Sequence, residues 1–102
     1  MYRITVAYPA KQGGTFDFTY YRDKHMPMVR KHLGDNAVGS EISKGISGAG
    51  TAAAPFTCIG QIRFKSLERF HATLAQHGAE IMGDIPNYTN ITPTVQIEEL
   101  VE

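Results

Sequence analysis

The sequence has only one cysteine, no excess of either charge and no long hydrophobic run. The single cysteine, Cys58, excludes an intrachain disulfide and favours a reducing compartment, so we expect a cytoplasmic protein. Lysine plus arginine and aspartate plus glutamate each total 10. With no basic cluster, nucleic acid and anionic membranes are not expected partners. No apolar run approaches the roughly 18 residues of a membrane-spanning helix, and the N-terminal MYRITVAYP is too short and too alternating for a signal peptide.

The length and composition are those of one globular domain that covers residues 1–102. Hydrophobic residues make up 42% of the chain and charged residues 20%, which are ordinary values for a globular protein. A chain of this size buries roughly two thirds of the surface that its unfolded form exposes. We therefore expect it to fold without a metal ion or a disulfide.

The periodicity of apolar residues predicts the element order βαββαβ. Alternation indicates strands over residues 2–8, 37–46, 56–65 and 92–101. A first helical segment begins near residue 16, and Ser66 caps a second helix whose apolar stripe is Leu67, Phe70, Leu74 and Ile81. With right-handed crossovers, this order gives a four-stranded antiparallel sheet with both helices on one face, an α+β ferredoxin-like sandwich.

The sheet face opposite the helices has no cover within one chain. In the third strand, that face carries residues of mixed polarity: Thr57, Ile59, Gln61 and Arg63. Such a surface is too polar for a core and too apolar for free exposure to water. We therefore predict a homodimer in which two copies pack sheet to sheet.

The stretch FDFTYYRDKHMPMV, residues 16–29, places several reactive side chains on one helix. Asp17, Tyr21 and His25 are spaced four residues apart, so they fall along one stripe with Tyr20 beside them. A carboxylate or a phenol in this position can orient an imidazole and fix its tautomer, which suits general acid–base catalysis. The alternative is structural, with Asp17 facing the helix dipole and with the tyrosines and His25 packed in the core.

Pro27 interrupts this helical pattern. Inside a helix a proline removes a backbone hydrogen bond and costs about 3 kcal/mol, whereas at the first position of a new helix it costs almost nothing. We therefore predict two short helices, residues 16–24 and 27–33, that meet at His25. A residue at such a break can point into a cleft, and unpaired carbonyl groups leave room for water or a ligand. A simple kink around the sheet is the alternative.

A second polar stretch, HGAEIMGDIPNYTNIT, covers residues 77–92. Its centre, DIPNY, is typical of a tight turn that leaves the second helix. Asn87 and Tyr88 present polar tips at this turn, which suits a binding site and a purely structural turn equally well.

Motifs for metals, phosphates and reactive thiols are absent from the sequence. The four histidines contain no H-x-x-x-H pair, and Pro27 disrupts the register between His25 and His32, so we predict no metal site. The GISGAG segment lacks the lysine and the strand–helix context of a phosphate-binding loop. Cys58 faces the expected core without a basic neighbour, which favours inert packing over a nucleophile. We therefore predict no cofactor.

Three segments form a family pattern. They are Phe16-Asp17-x-x-Tyr20-Tyr21-x-x-x-His25-Met26-Pro27, then His77 with Glu80-Ile81-Met82-x-Asp84-Ile85-Pro86-Asn87-Tyr88-Thr89, and finally Pro93-x-Val95-Gln96-Ile97. This pattern resembles the EthD family, which is named after a bacterial gene cluster that degrades ethyl tert-butyl ether. The resemblance implies a dimeric α+β barrel, in agreement with the βαββαβ order.

The resemblance implies less about activity. Members of the family occur alongside oxidative degradation systems and often carry the description oxidoreductase. Barrels of the same superfamily include cofactor-free cyclases, isomerases and monooxygenases that act on aromatic or polyketide compounds, and also haem-binding enzymes. That analogy concerns the fold alone.

Three functional hypotheses follow. In the first, a small hydrophobic or carbonyl-containing metabolite binds between sheet and helices, and His25, oriented by Asp17 or Tyr21, acts as a general acid–base without a cofactor. The expected walls are Tyr20, Tyr21, Met28 and Phe70, and the expected donors to a carbonyl oxygen are Tyr88, Asn87 or His77. In the second, the protein only binds the metabolite, as a non-catalytic accessory of an oxidative pathway. In the third, a histidine binds haem.

Overall fold

The computed structural model describes the whole chain from Met1 to Glu102. After β1 (Tyr2–Pro9), a first helical segment contains α1 (Phe18–Tyr20), a π-helical turn (Tyr21–His25) and α2 (Met26–Leu33). A 3₁₀ turn (Gly34–Asn36) leads to β2 (Ala37–Lys44), and β3 (Phe56–Phe64) follows a loop. The chain then forms α3 (Leu67–Gly83), a second 3₁₀ turn (Ile85–Asn87) and β4 (Thr94–Glu99). The order βαββαβ is the predicted one.

The four strands form one antiparallel sheet in the order β2-β3-β1-β4. β1 lies between β3 and β4, so that Tyr2 is opposite Phe64 on one side and opposite Glu99 on the other. The helical segments pack on one face of this sheet and enclose the core with it. The arrangement confirms the predicted α+β ferredoxin-like fold.

The alternation in β3 shows how the residue pattern determines burial. Cys58, Gly60, Ile62 and Phe64 are buried beneath the helices, whereas the residues between them are partly exposed on the other face. Burial raises the pKa of the Cys58 thiol to about 12, as expected for a cysteine that serves only in packing. The two edge strands are slightly shorter than predicted, because β2 stops at Lys44 and β4 covers only Thr94–Glu99.

The second helix begins as the sequence predicts. The Ser66 side chain accepts a hydrogen bond from the backbone N–H of Arg69, which satisfies one unpaired donor of the first turn. One turn in, Phe70 is buried and stacks on Phe64 of β3 with ring centroids 4.1 Å apart. This stack fixes α3 on the sheet.

The predicted break at His25 is wrong. Backbone dihedrals stay helical from Tyr20 through Met26, so the segment is one helix and not two. The helix accommodates the proline in another way. The N–H of Met26 bonds to the carbonyl of Tyr21, five residues earlier, which makes a π-helical turn. The wider turn lets Pro27 enter near the start of α2 without ending the helix. Such turns occur frequently at functional sites.

The turn after α3 is fastened to the start of the first helical segment. The N–H of Asp17 donates to the carbonyl of Tyr88 at 2.8 Å, and the hydroxyl of Thr89 donates to the carbonyl of Thr15 at 2.6 Å. An isolated antiparallel bridge also pairs Phe16 with Thr89. These bonds hold the turn after α3 beside the π-helical turn.

The sheet face opposite the helices carries a polar ladder. Arg3 pairs with Glu98 at 2.7 Å, and Thr5 donates a hydrogen bond to the same carboxylate while it accepts one from Gln61. Although burial acts in the opposite direction, these bonds and one from Gln96 lower the pKa of Glu98 to about 2. A homodimer through this face remains a prediction. None of the helices has the length and the hydrophobicity that crossing a membrane requires.

Candidate functional site

An apolar cavity lies between the helix-covered face of the sheet and the helical segments. Its volume is about 190 Å³, and 14 of its 19 lining residues are hydrophobic, which makes its wall mostly apolar. The predicted stripe of α3 contributes Phe70, Leu74 and Ile81. The polar side chains that reach the wall are Tyr8, Tyr21, His25 and Thr73. A mostly apolar wall with a few polar groups is typical of a site for a small molecule.

His25 reaches this cavity from the end of the π-helical turn. The residue is only 5% exposed, and its ring stacks on that of Tyr21 with centroids 5.4 Å apart and an interplanar angle of 14°. Tyr88 covers another side of the imidazole, with ring centroids 4.8 Å apart. The imidazole therefore has a fixed orientation at the wall of the cavity.

Asp84, just beyond α3, is the carboxylate that orients this histidine. Its Oδ2 lies 2.9 Å from Nδ1 of His25, while Oδ1 accepts hydrogen bonds from the Tyr20 hydroxyl at 2.7 Å and from the Asn87 amide at 2.9 Å. Burial raises the pKa of Asp84, but the bonds from Tyr20, Asn87 and His25 outweigh it and hold that pKa below its usual value. Asp84 is therefore ionised at neutral pH.

The protonation state of His25 follows from its surroundings. Burial lowers the pKa of His25 below its ordinary value of 6.5, and the opposing effect of Asp84 does not compensate. The imidazole is therefore neutral at neutral pH. Because ionised Asp84 can only accept, the single proton of the ring lies on Nδ1, and Nε2 carries the free lone pair. A neutral imidazole with a defined basic nitrogen is suited to general base catalysis.

Three buried phenols lie near His25, and one of them approaches its basic nitrogen. The hydroxyl groups of Tyr8 and Tyr88 are 2.6 Å apart, and that of Tyr88 also lies 3.5 Å from Nε2 of His25, at the outer limit of a hydrogen bond. Burial is the main reason that the pKa values of Tyr8, Tyr21 and Tyr88 all lie above the usual value, so the three phenols stay protonated. The Tyr21 hydroxyl lies against the backbone of Gly60, where even a Cβ atom would collide with it.

The structure brings only part of the predicted site together. Tyr21, His25 and Phe70 line the cavity. Tyr20 and Met28 do not. They line a shallow outer cleft behind Asp84.

The donors predicted for a carbonyl oxygen are engaged elsewhere. Asn87 donates to Asp84, and the Tyr88 hydroxyl bonds to that of Tyr8. His77 stacks on His32, where α2 packs on α3. None of the three predicted donors is among the residues that line the cavity.

The predicted contact between Asp17 and His25 is wrong. The Asp17 carboxylate accepts a hydrogen bond from the backbone N–H of Tyr20 at 3.0 Å, so it caps the first helical turn. This is the structural alternative considered for Asp17. A cap at the start of a helix cannot also reach a ring two turns further on, and Asp84 takes that place.

Sequence reasoning missed Asp84 because it lies 59 residues from His25 in the chain. One local signal was available. Asp84 lies just after the last turn of α3, where the negative end of the helix dipole disfavours a carboxylate. An acidic residue at an unfavourable helix end indicates a tertiary partner.

A second polar cluster joins α2 and α3. The rings of His32 and His77 stack with centroids 3.8 Å apart, and Nε2 of His32 lies 3.2 Å from a carboxylate oxygen of Glu80. One donor atom from each of these residues lies within 4.8 Å of the other two. Spacing within the sequence did not reveal this group, since packing of two helices creates it.

Comparison with known proteins yields one family and several similar structures. A family model described as EthD domain matches residues 15–92. The crystal structure of an EthD-like protein from Ralstonia eutropha JMP134 is 41% identical, with a TM-score of 0.93, over 99% of this chain and 92% of the other. No curated protein sequence matches the chain.

More distant structures share the fold alone. An ethyl tert-butyl ether degradation (EthD) family protein from Bacillus halodurans C-125 is 16% identical, with a TM-score of 0.73 over 99% of both chains. A protein from Arabidopsis thaliana is 12% identical, with a TM-score of 0.65 over 99% of this chain and 95% of the other.

Proposed function

Because this chain belongs to the EthD family, we propose that it serves a catabolic pathway and binds a small hydrophobic, carbonyl-containing metabolite, on which His25 acts as a general acid–base. One observation carries this proposal. A neutral histidine, held by an ionised aspartate, forms part of the wall of an apolar cavity. Buried titratable groups with shifted pKa values and a specific charged partner are characteristic of active sites.

The size and polarity of the cavity define the ligand class. A cavity of about 150 Å³ with apolar walls is large enough for benzene, and the cavity here has about 190 Å³. The metabolite is therefore about the size of one substituted aromatic or alicyclic ring. Its carbonyl group lies toward Tyr21 and His25, because the remaining wall is largely apolar.

The proposed chemistry is proton transfer next to a carbonyl group. Nε2 of His25 removes a proton from the carbon beside the carbonyl, the electrons of that C–H bond move onto the carbonyl oxygen, and the resulting enolate regains a proton at carbon or oxygen. The Tyr21 hydroxyl, protonated and at the cavity wall, donates a hydrogen bond to the developing oxyanion. Isomerisation, cyclisation and cofactor-free oxygenation all begin with this step.

The setting of the reaction is also part of the proposal. We place the protein in the cytoplasm and expect two copies to pair through the polar ladder of the sheet, with neither nucleic acid nor membrane as a partner. The mixed polarity of the ladder, with Arg3, Thr5 and Glu98 joined by hydrogen bonds, supports an interface that is wet and not a dry core.

An exchange assay tests the acid–base function without knowledge of the natural substrate. A panel of single-ring ketones with α-hydrogens, such as propiophenone and phenylacetone, is incubated with the protein in D₂O and followed by NMR. We expect wild type to bind members of the panel and to accelerate their α-deuteration, and His25→Gln to bind them without acceleration. Equal acceleration by both proteins would contradict the role of His25.

A non-catalytic accessory protein is the second candidate. The observation that favours it is the engagement of polar groups with one another, since Asn87 bonds to Asp84 and Tyr88 to Tyr8 instead of facing the cavity. In the exchange assay, this candidate predicts saturable binding by wild type and no acceleration for any ketone of the panel. Loss of pathway flux in a deletion strain, with the oxygenase itself fully active, would support it further.

A further inference from the structure

We propose that His32, His77 and Glu80 form a binding site for a divalent transition-metal ion. These three residues, the metal cluster, lie where the last turn of α2 packs on α3. It shares no residue with the pair His25–Asp84, although Glu80 and Asp84 line the same outer cleft, and the proposed acid–base chemistry uses none of its members.

The donor atoms of the cluster lie nearly as close to one another as the ligands of a bound metal ion do. His77 and Glu80 are three residues apart on α3 and therefore adjacent on its surface. His32 reaches them from α2, with ring centroids 3.8 Å from His77 and a nitrogen 3.2 Å from Glu80. Tetrahedral zinc, with ligand distances of about 2.0 to 2.2 Å, places its donor atoms about 3.3 Å apart.

Only a small rearrangement separates the two geometries. The three donor atoms already lie within 4.8 Å of one another. Rotation of the imidazole rings out of their stack directs both lone pairs to one point, and the Glu80 side chain, 56% exposed, is free to follow. The backbone of α2 and α3 stays in place.

The donor set selects the class of ion. Two imidazole nitrogens and one carboxylate oxygen suit zinc, cobalt, nickel and copper, whereas magnesium and calcium prefer oxygen ligands alone. Two neutral imidazoles and one carboxylate carry a single negative charge, which offsets half the charge of a dication. Three protein ligands leave the fourth tetrahedral position to water.

A metal at this position would connect the two helices that wall the cavity. Leu33 follows His32 directly, and Gly78 and Ile81 follow His77 and Glu80, and all three of these neighbours line the cavity. An ion held by both helices therefore restrains the cavity wall from outside. We assign the ion a structural role, the clamping of α2 onto α3.

Metal titration of the whole chain tests this proposal. The protein is prepared without a histidine tag, stripped with a chelator and titrated with zinc by calorimetry, and cobalt is used as a spectroscopic probe. We expect one ion per chain, visible cobalt bands of low coordination number, and a higher unfolding temperature with zinc. No heat, no cobalt bands and no thermal shift in excess zinc would overturn the proposal.

Matched variants locate the site. His77→Gln and Glu80→Gln should each weaken zinc binding by at least the roughly 10- to 100-fold that loss of a supporting group costs. His71→Gln, which removes an exposed histidine from the same helix, should leave the affinity unchanged. Glu80 is exposed, so its variant is expected to fold even if His77→Gln does not. Unchanged affinity in Glu80→Gln, or an equal loss in His71→Gln, would place any bound metal elsewhere.

Discussion

Nδ1 of His25 lies 2.9 Å from Oδ2 of Asp84, so the end of the π-helical turn and the end of α3 meet in one hydrogen bond. This bond fixes the tautomer of the ring and leaves Nε2 as the base. The cavity supplies the apolar surroundings, and the π-helical turn supplies the position of the ring.

Asp84→Asn should reduce acid–base activity while the protein stays folded. The amide can donate to Nδ1, which moves the ring proton to Nε2 and removes the base. We expect α-deuteration to slow by about 10²- to 10⁴-fold, the usual contribution of a positioned acid–base group. The pKa of His25 should fall further, since the carboxylate favours the charged ring. Imidazole ¹⁵N NMR measures both the tautomer and the pKa, and an unchanged tautomer would argue against this role.

Asp17→Ala provides the matched comparison, because Asp17 was the sequence-based choice for the same role. Its carboxylate caps the helix, so its loss should destabilise the protein by about 1 kcal/mol. The tautomer of His25 and the deuteration rate should not change. Asp17→Ser keeps a capping oxygen and should recover most of the stability in urea unfolding. A slower deuteration rate in folded Asp17→Ala would contradict this division of roles.

The stability of the protein should fall on mild acidification because of His25. Its pKa in the folded state lies below the ordinary value of 6.5, so the unfolded chain binds the proton more tightly. Above about pH 6.5 the His25 ring is neutral in both the folded and the unfolded chain, so its contribution to the free energy of unfolding is constant. As the pH falls from there through the folded-state pKa, stability is lost. Urea unfolding at several pH values should show a shallower loss for His25→Gln than for wild type, and equal slopes would refute the assignment.

Gly60→Ala should disturb the site through Tyr21. A Cβ atom at this position would lie 2.0 Å from the Tyr21 hydroxyl oxygen and 3.0 Å from the adjoining ring carbon. We expect a cost of about 1 to 3 kcal/mol, typical of an overpacked core, together with weaker ketone binding. Because the worst collision involves the hydroxyl, the same substitution should cost less in a Tyr21→Phe background. A cost that is identical in the two backgrounds, measured by urea unfolding, would mean that the strain arises elsewhere.

The bond between Tyr8 and Tyr88 should contribute measurably to stability. Tyr8→Phe leaves the buried Tyr88 hydroxyl with only the long contact to His25. We expect a loss of about 1 to 3 kcal/mol, the cost of an unsatisfied buried polar group. Tyr8→Phe combined with Tyr88→Phe should cost less than the sum of the single changes. Additive costs in this double-mutant cycle would show that the two hydroxyl groups do not interact.

The sequence predicted the architecture well because the architecture depends on local periodicity. Two such features depend only on neighbouring residues: the alternation around Cys58 and Ile62, and the cap at Ser66. Each is found in the structure. Standard rules for crossovers then leave little choice of topology.

The site was predicted less completely because its contacts join distant parts of the chain. His25 was identified from the residues around it, but its partner, Asp84, became visible only when the turn after α3 was placed beside it. The metal cluster depends in the same way on the packing of α2 against α3.

The prediction at Pro27 failed for a different reason. A proline can end a helix or be absorbed by a wider turn, and the cost of a proline inside a regular helix made the first outcome the expected one. Tertiary contacts decide the outcome, here the burial of Tyr21 and Met26 on either side of the turn.

The π-helical turn also limits how this chain can change its length. The segment Tyr21–His25 holds one residue more than regular helix geometry needs for the same rise. Deletion of an exposed residue there, such as Asp23, would restore a standard helix and leave the flanking turns in register, whereas a deletion within regular helix rotates everything before it by about 100° relative to everything after it. Tyr21 would then stay against Gly60, and His25 would keep its bond to Asp84. A chain one residue shorter could therefore keep both the base and the oxygen-binding phenol only if the residue were lost within this turn.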